Sequence, residues 1–67
     1  MEIHVNNKLY AVEQGATLAT LLQFIQIPST KGIAIAVNDQ VIPKRSWDNV
    51  SLSPSDQVTI IRATQGG

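Results

Sequence analysis

The sequence predicts a small α+β domain in which a mixed five-stranded sheet carries one helix across one face. Three observations support this prediction: polar and apolar residues alternate at the beginning, one helical apolar stripe lies between two strand pairs, and an apolar run lies near the end. With 67 residues the sequence has room for one domain, and 43% hydrophobic and 15% charged residues are typical of a folded one.

Residues 1–12 predict the first hairpin. Met1, Ile3 and Val5 fall on one face of a strand over residues 1–5. Asn6-Asn7 predicts a tight turn because asparagine tolerates positive φ, and residues 8–12 return as the second strand.

A short helix follows the hairpin. The hydroxyl of Thr17 suits an N-cap, where it accepts a hydrogen bond from an unpaired backbone N–H. Pro28 disfavours the helical conformation at Ile27 and predicts the end of the helix there. The apolar stripe of the helix consists of Leu18, Leu21, Leu22 and Ile25.

The second hairpin is predicted over residues 33–42. Residues 33–37 form a strand with alternate side chains towards the helix, Asn38-Asp39 is the turn, and residues 40–42 form a short strand. Pro43 cannot donate to a sheet ladder, which places this short strand at an edge.

The rest of the chain predicts an irregular segment and one more strand. Residues 44–55 are irregular, and we expect Trp47, Val50 and Leu52 to fold back onto the core. Residues 57–63 form the last strand, which we expect to lie parallel to the first strand in the centre of the sheet.

The outer face of the sheet, away from the helix, carries small apolar residues. Ala34, Ala36 and Ile61, with Ala63 beside them, are expected to point outward and form a docking platform. Scattered exposed apolar residues are also normal on protein surfaces, so this interpretation has a plain structural alternative. Arg62 lies near the tail and either meets an acidic partner or is simply solvated.

Composition excludes several classes of function. Five basic residues balance five acidic ones, which disfavours a nucleic-acid-binding module. The absence of cysteine excludes disulfides and thiolate metal sites, and His4 is the single histidine. We expect no bound cofactor or metal and no enzymatic activity, because no nucleophile–base set or phosphate-binding loop is visible. With no membrane span or signal peptide, a cytoplasmic location is predicted.

Gly66-Gly67 closes the sequence. One interpretation is a frayed end, because a terminus that docks nowhere normally frays. The other is a thin tail that another protein threads and modifies. We expect residues 1–63 to form the domain and residues 64–67 a flexible tail.

Several segments, taken in their order along the whole sequence, carry a family resemblance: Met1-Glu2-Ile3-His4-Val5-Asn6, Gly15-Ala16-Thr17-Leu18, Leu21-Leu22, Ala34-Ile35-Ala36-Val37-Asn38, Val41-Ile42-Pro43-Lys44-Arg45, Trp47, Asp56-Gln57-Val58 and Gly66-Gly67. With them the sequence resembles the ubiquitin-like β-grasp family and, within it, the ThiS-like sulfur carrier proteins of thiamine biosynthesis. Thr20 departs from the family pattern, where an acidic residue is common, and Thr64-Gln65 is unusually polar.

The resemblance implies a carrier that is modified at Gly67. A ThiF-like adenylating enzyme would use ATP to adenylate the Gly67 carboxylate, a sulfur-donor enzyme would convert it to a thiocarboxylate, and a ThiG-like thiazole synthase would consume the sulfur. The chain would be a monomer when free. The residues implied for the tail and for partner binding are Gly66, Gln65, Thr64, Arg62, Ile61, Ala36 and Ala34.

Two alternatives stay open from the sequence. The small, sulfur-carrying subunit of molybdopterin synthase has the same fold, tail and activation chemistry. A β-grasp module that binds partners without covalent chemistry would share the fold but would not need a free diglycine end.

Overall fold

Within residues 1–27 and 31–62, which the computed structural model describes, five strands and one α-helix form two layers. This is the predicted α+β architecture, and a short 3₁₀ turn interrupts the segment that was predicted to be irregular. The elements are β1 (Glu2–Val5), β2 (Lys8–Ala11), α1 (Leu18–Phe24), β3 (Ile33–Val37), β4 (Gln40–Ile42), the 3₁₀ turn (Lys44–Ser46) and β5 (Gln57–Arg62).

The strands form one mixed sheet in the order β2-β1-β5-β3-β4. β5 runs parallel to β1, with Val58 opposite Val5, and antiparallel to β3, with Ile60 opposite Ile35. The prediction that the last strand lies beside the first in the centre of the sheet is confirmed. Short strands β2 and β4 form the two edges.

Both predicted hairpin turns are confirmed. Asn6 and Asn7 have φ angles of 49° and 70°, and Asn38 and Asp39 have φ angles of 51° and 70°. Two consecutive left-handed residues are typical of type I′ turns, whose twist matches that of the strands they join. The pairing of β1 with β2 continues by one more residue pair, because the Met1 amino group donates to the Val12 carbonyl over 2.6 Å.

One apolar core lies between the sheet and α1. Trp47 is anchored in it by a 2.9 Å hydrogen bond from its indole Nε1 to the Ile42 carbonyl. Burying one side chain of the size of leucine or isoleucine contributes about 1.5–3 kcal/mol to stability, so the core is the main stabilising term. The buried cluster consists of Ile3, Val5, Leu18, Leu21, Leu22, Ile35, Trp47, Leu52 and Val58.

The segment after the 3₁₀ turn closes one end of the core, as predicted for Trp47, Val50 and Leu52. The Leu18 N–H donates to the Val50 carbonyl over 3.1 Å, and the Leu52 N–H donates to the Ala16 carbonyl over 2.8 Å. Trp47 and Leu52 are buried and Val50 packs against them at the edge. These backbone bonds tie the start of α1 to the chain that leads into β5.

The start of α1 is capped as predicted. The Thr17 hydroxyl accepts a 3.2 Å hydrogen bond from the Thr20 N–H. The hydroxyl groups of the two threonines also lie 3.1 Å apart. Thr20 therefore joins the cap, although it is not the Glu or Gln of a capping box.

The end of α1 differs from the prediction. The helix ends at Phe24, and Gln26 has a left-handed backbone with a φ of 58°. A left-handed residue directly after a helix, together with two backbone hydrogen bonds that close the last turn, forms a Schellman motif. The helix therefore ends three residues before the predicted end at Ile27, because the chain already leaves it at Gln26, and Pro28 lies outside the described residues. The closing bonds run from the Gln26 N–H to the Gln23 carbonyl (3.2 Å) and from the Ile27 N–H to the Leu22 carbonyl (3.3 Å).

Replacing Gln26 with glycine is expected to stabilise the protein, because glycine adopts positive φ without the steric cost of a Cβ. We expect a gain of about 0.5–1 kcal/mol, which raises Tm by roughly 3–6 °C in a domain of this size. Gln23→Gly, inside the helix, is the control and should cost about 1 kcal/mol. Thermal unfolding followed by circular dichroism measures both, and a lower Tm for Gln26→Gly would contradict the capping account.

Candidate functional site

The face of the sheet opposite α1 is not covered by any other described element. Strand register decides which side chains lie on it, because side chains alternate between the two faces of a strand. His4 lies opposite Leu9 on β2 and Gln57 on β5, so all three share this outer face. The outer face also includes Thr59, Ile61, Ala34, Ala36 and Val41.

An apolar patch occupies the half of the outer face formed by β5, β3 and β4. We call the set Ala34, Ala36, Val41 and Ile61 the outer-face patch. Ile61 is 53% exposed and Val41 is 65% exposed. Ala34 lies directly opposite Ile61, and Ala36 directly opposite Val41. Side chains opposite each other in a sheet have Cβ atoms about 4.5–5.5 Å apart, so the four residues form one continuous surface.

Ala36 lies on this face as predicted, but the expectation that its side chain is exposed is wrong. It is 8% exposed. Ala36 lies on β3 between Val41 on β4 and Thr59 on β5, and both neighbours are larger than its methyl group. Ala36 therefore forms the floor of the patch, while Ile61 and Val41 provide most of its accessible apolar surface. Ala34 is exposed, as predicted.

Val41 was not among the residues predicted for this surface. The sequence contains a signal that would have identified it. A two-residue turn at Asn38-Asp39 places Val37 opposite Gln40, and hence Ala36 opposite Val41 on the same face. A hairpin register derived from the turn therefore adds Val41 to the patch.

The end of β5 borders the patch. Arg62 is the last residue that the structure describes there; it is exposed and lies opposite Ile33 on β3. Arg62 makes no ion pair with another described residue. The predicted tail residues Thr64, Gln65, Gly66 and Gly67, with Ala63 and the boundary between domain and tail, lie outside the described residues.

The beginning of β5 is fixed by side chains from the second hairpin turn. The Asn38 Oδ1 atom accepts a 3.0 Å hydrogen bond from the Gln57 N–H, and its Nδ2 atom donates to the Asp56 carboxylate over 2.9 Å. The other Asp56 oxygen accepts from the Ser53 N–H over 2.7 Å. The strand that carries Ile61 therefore begins at a defined position.

Among the described residues, two other large apolar side chains are exposed outside the patch. Leu9, 51% exposed, is on the outer face but on the opposite edge strand, β2. Phe24, 57% exposed, lies at the end of α1 and contacts Tyr10 edge-on, with ring centroids 6.4 Å apart. Neither residue adjoins the end of β5.

The described part of the chain holds no group of three or more His, Cys, Asp or Glu residues placed to bind a metal ion. None of the helices described is long and apolar enough to cross a membrane.

Comparison with known proteins gives consistent similarities. Residues 3–67 match the ThiS family. The sulfur carrier protein ThiS of Escherichia coli (strain K12) is 27% identical over 67 residues, which is 100% of both chains. The crystal structure of a thiamine biosynthesis protein (ThiS) from Geobacter metallireducens has a TM-score of 0.86 at 20% identity and covers 100% of both chains.

The solution structure of a thiamine biosynthesis protein from Geobacter metallireducens, solved by NMR, has a TM-score of 0.77 at 20% identity. It covers 100% of the present chain and 88% of the other. These two structures confirm the predicted ubiquitin-like β-grasp fold.

Serine substitutions at Ile60 and Ile61 test the assignment of the two faces. Ile60 is half-buried against the core and Ile61 is half-exposed on the outer face. Both changes lower strand propensity alike, so the difference in cost reports burial. We expect Ile60→Ser to cost about 2–3 kcal/mol and Ile61→Ser less than about 1 kcal/mol in urea unfolding. Equal costs would mean that the face assignment is wrong.

Proposed function

Because the chain belongs to the ThiS family, we propose that it is a sulfur carrier in thiamine biosynthesis. The observation that carries this proposal is the family match over residues 3–67, which includes the terminal Gly66-Gly67. The similarity to the sulfur carrier protein ThiS of E. coli extends over the full length of both chains, which supports the same role.

In the proposed reaction the reactive group is the carboxylate of Gly67. One of its oxygens attacks the α-phosphorus of ATP, pyrophosphate leaves, and an acyl-adenylate forms. Sulfur at the oxidation level of sulfide, delivered by the donor, then attacks the acyl carbon and AMP leaves, so that Gly67 ends as a thiocarboxylate. A terminal carboxyl has an ordinary pKa of about 3.5, so it is ionised at neutral pH and needs no general base.

Glycine suits this position because the reacting carbon must be approached closely from two sides. First the α-phosphorus of ATP must come within about 3–3.5 Å of a carboxylate oxygen, and then the sulfur nucleophile must come equally close to the acyl carbon. A Cβ beside the reacting carboxyl would obstruct that approach. Gly66 lets the tail adopt backbone angles that other residues avoid.

Docking of the outer-face patch supports this reaction. Threading a tail into an enzyme orders several residues, and the entropy lost must be offset by contacts elsewhere. Ile61 and Val41 present apolar surface beside the strand that leads to the tail, with Ala34 next to Ile61. We propose that the adenylating enzyme contacts this patch and that Arg62, Thr64 and Gln65 guide the tail from it.

The proposed partners divide the chemistry. A ThiF-like enzyme binds ATP and adenylates the carrier, a sulfur-donor enzyme supplies sulfur, and a ThiG-like thiazole synthase accepts it. The present chain contributes the reacting carboxylate and the docking surface, and acts as a co-substrate. The Geobacter structures are those of a thiamine biosynthesis protein, which favours the thiamine pathway over molybdopterin synthase.

Intact-mass spectrometry tests the carrier role. The purified protein is incubated with ATP, the ThiF-like enzyme of the same organism and a sulfur source. We expect its mass to rise by the difference between one sulfur and one oxygen atom, with the change located on Gly67 by fragmentation. A variant that lacks Gly67 is the control and should stay unmodified. An unmodified wild-type protein, or modification of the shortened variant, would refute the proposal.

Ile61→Asp tests docking through the patch. The change places a carboxylate where the partner would bury an isoleucine, and burying an unpaired charge is strongly unfavourable. We expect kcat/KM for adenylation to fall roughly 100-fold, equivalent to about 2.7 kcal/mol. The assay is ATP–pyrophosphate exchange.

Leu9→Asp is the matched control for this test. Leu9 is as exposed as Ile61 and lies on the same face, but on the far edge strand. We expect kcat/KM to stay within about threefold of wild type, with both variants folded by circular dichroism. Similar losses in both variants, or none in Ile61→Asp, would rule out docking through the patch.

A further inference from the structure

The parallel pairing between β1 and β5 ends before β5 does. The His4 N–H donates to the Asp56 carbonyl and the Asn6 N–H to the Val58 carbonyl, each over 3.0 Å. The backbone of β1 then turns away into the first hairpin. β5 continues for four residues beyond Val58, to Arg62, and its other side stays paired with β3 as far as Arg62.

The side chain of Asn6 replaces the missing backbone at this point. Its Oδ1 atom accepts a 2.8 Å hydrogen bond from the Ile60 N–H. Its Nδ2 atom donates to the Ile60 carbonyl over 3.2 Å. An asparagine amide has the same donor and acceptor groups as a peptide, so it satisfies both backbone groups of one residue and extends the ladder by one step.

We propose that Asn6 is a positioning residue for the tail reaction, because it fixes the direction in which the end of β5 leaves the sheet. This inference rests on the proposed function. Without the Asn6 amide, β5 beyond Val58 would be held by backbone hydrogen bonds from β3 alone. The end of β5, which precedes the reactive tail in the sequence, would then sample more directions.

Asn6 has a role that the turn alone does not require. The turn needs left-handed backbone at two positions, and both Asn6 and Asn7 provide it. The Asn7 side chain makes no hydrogen bond with any described residue. Glycine would satisfy the turn equally well at either position, so the amide of Asn6 is needed only for the bonds to Ile60.

A fixed strand end lowers the cost of binding the partner. An enzyme that threads the tail must remove the conformational freedom of the chain that leads to it. When the amide of Asn6 has already restrained Ile60, less freedom remains to be removed. Its loss should therefore weaken productive binding, seen as a higher KM for the carrier, while kcat at saturation is preserved.

Asn6→Gly and Asn7→Gly form a matched pair for the test. Both keep the type I′ turn, and only the first removes the bonds to Ile60. We expect Asn6→Gly to speed hydrogen exchange at the Ile60 amide by about tenfold or more, as measured by NMR. We expect it to raise KM in the adenylation assay by roughly 3- to 10-fold with kcat within about twofold of wild type. Asn7→Gly should change neither quantity.

Val50→Ala controls for a simple loss of stability. Val50 packs at the edge of the core and takes no part in the outer face or the strand end. Assayed well below the Tm of every variant, Val50→Ala should leave KM unchanged.

An unchanged KM in Asn6→Gly, an equal rise in Val50→Ala, or a raised KM with unaltered exchange at Ile60 would each overturn the positioning role. These comparisons require that the wild-type protein is adenylated. A wild-type protein that is not adenylated would overturn the proposed function and the positioning role with it.

Discussion

The central position of β5 is the constraint on which the rest of the structure depends. It pairs in parallel with β1 and antiparallel with β3. The first hairpin (β1 and β2) and the second hairpin (β3 and β4) are therefore joined into one sheet through β5, which is distant in sequence from the first hairpin. Val58 on β5 is buried in the core beneath α1, which links the sheet to the helix layer. A chain that continues from such a strand leaves a rigid base, unlike one that continues from an edge strand or a loop.

The two faces of the sheet have separate roles because side chains alternate along each strand. The inner face packs against α1 and supplies most of the stability through burial of Ile3, Ile35 and Val58. The outer face, with Ile61 and Val41 exposed, contributes little to the core and is therefore available for partners. Substitutions on the outer face should for this reason change docking to partners while changing stability little.

Most of the fold follows from local sequence patterns. Alternation, the Asn6-Asn7 and Asn38-Asp39 turns and the Thr17 cap each identified their element. The end of α1 was missed because Gln26 adopts a left-handed backbone that its residue type does not signal. The burial of Ala36 and the bonds between Asn6 and Ile60 depend on neighbours from distant strands, so they could not be derived without the sheet register.

The most direct test of this account is the methyl NMR spectrum of the isotope-labelled carrier during titration with its adenylating enzyme. Docking through the outer-face patch should shift or broaden the methyl signals of Ile61, Val41 and Ala34 first, while those of Leu9 on the far edge stay unchanged. A footprint centred instead on α1 or on β2, with the Ile61 signal unaffected, would contradict the claim that β5 and the outer-face patch present the tail to the enzyme.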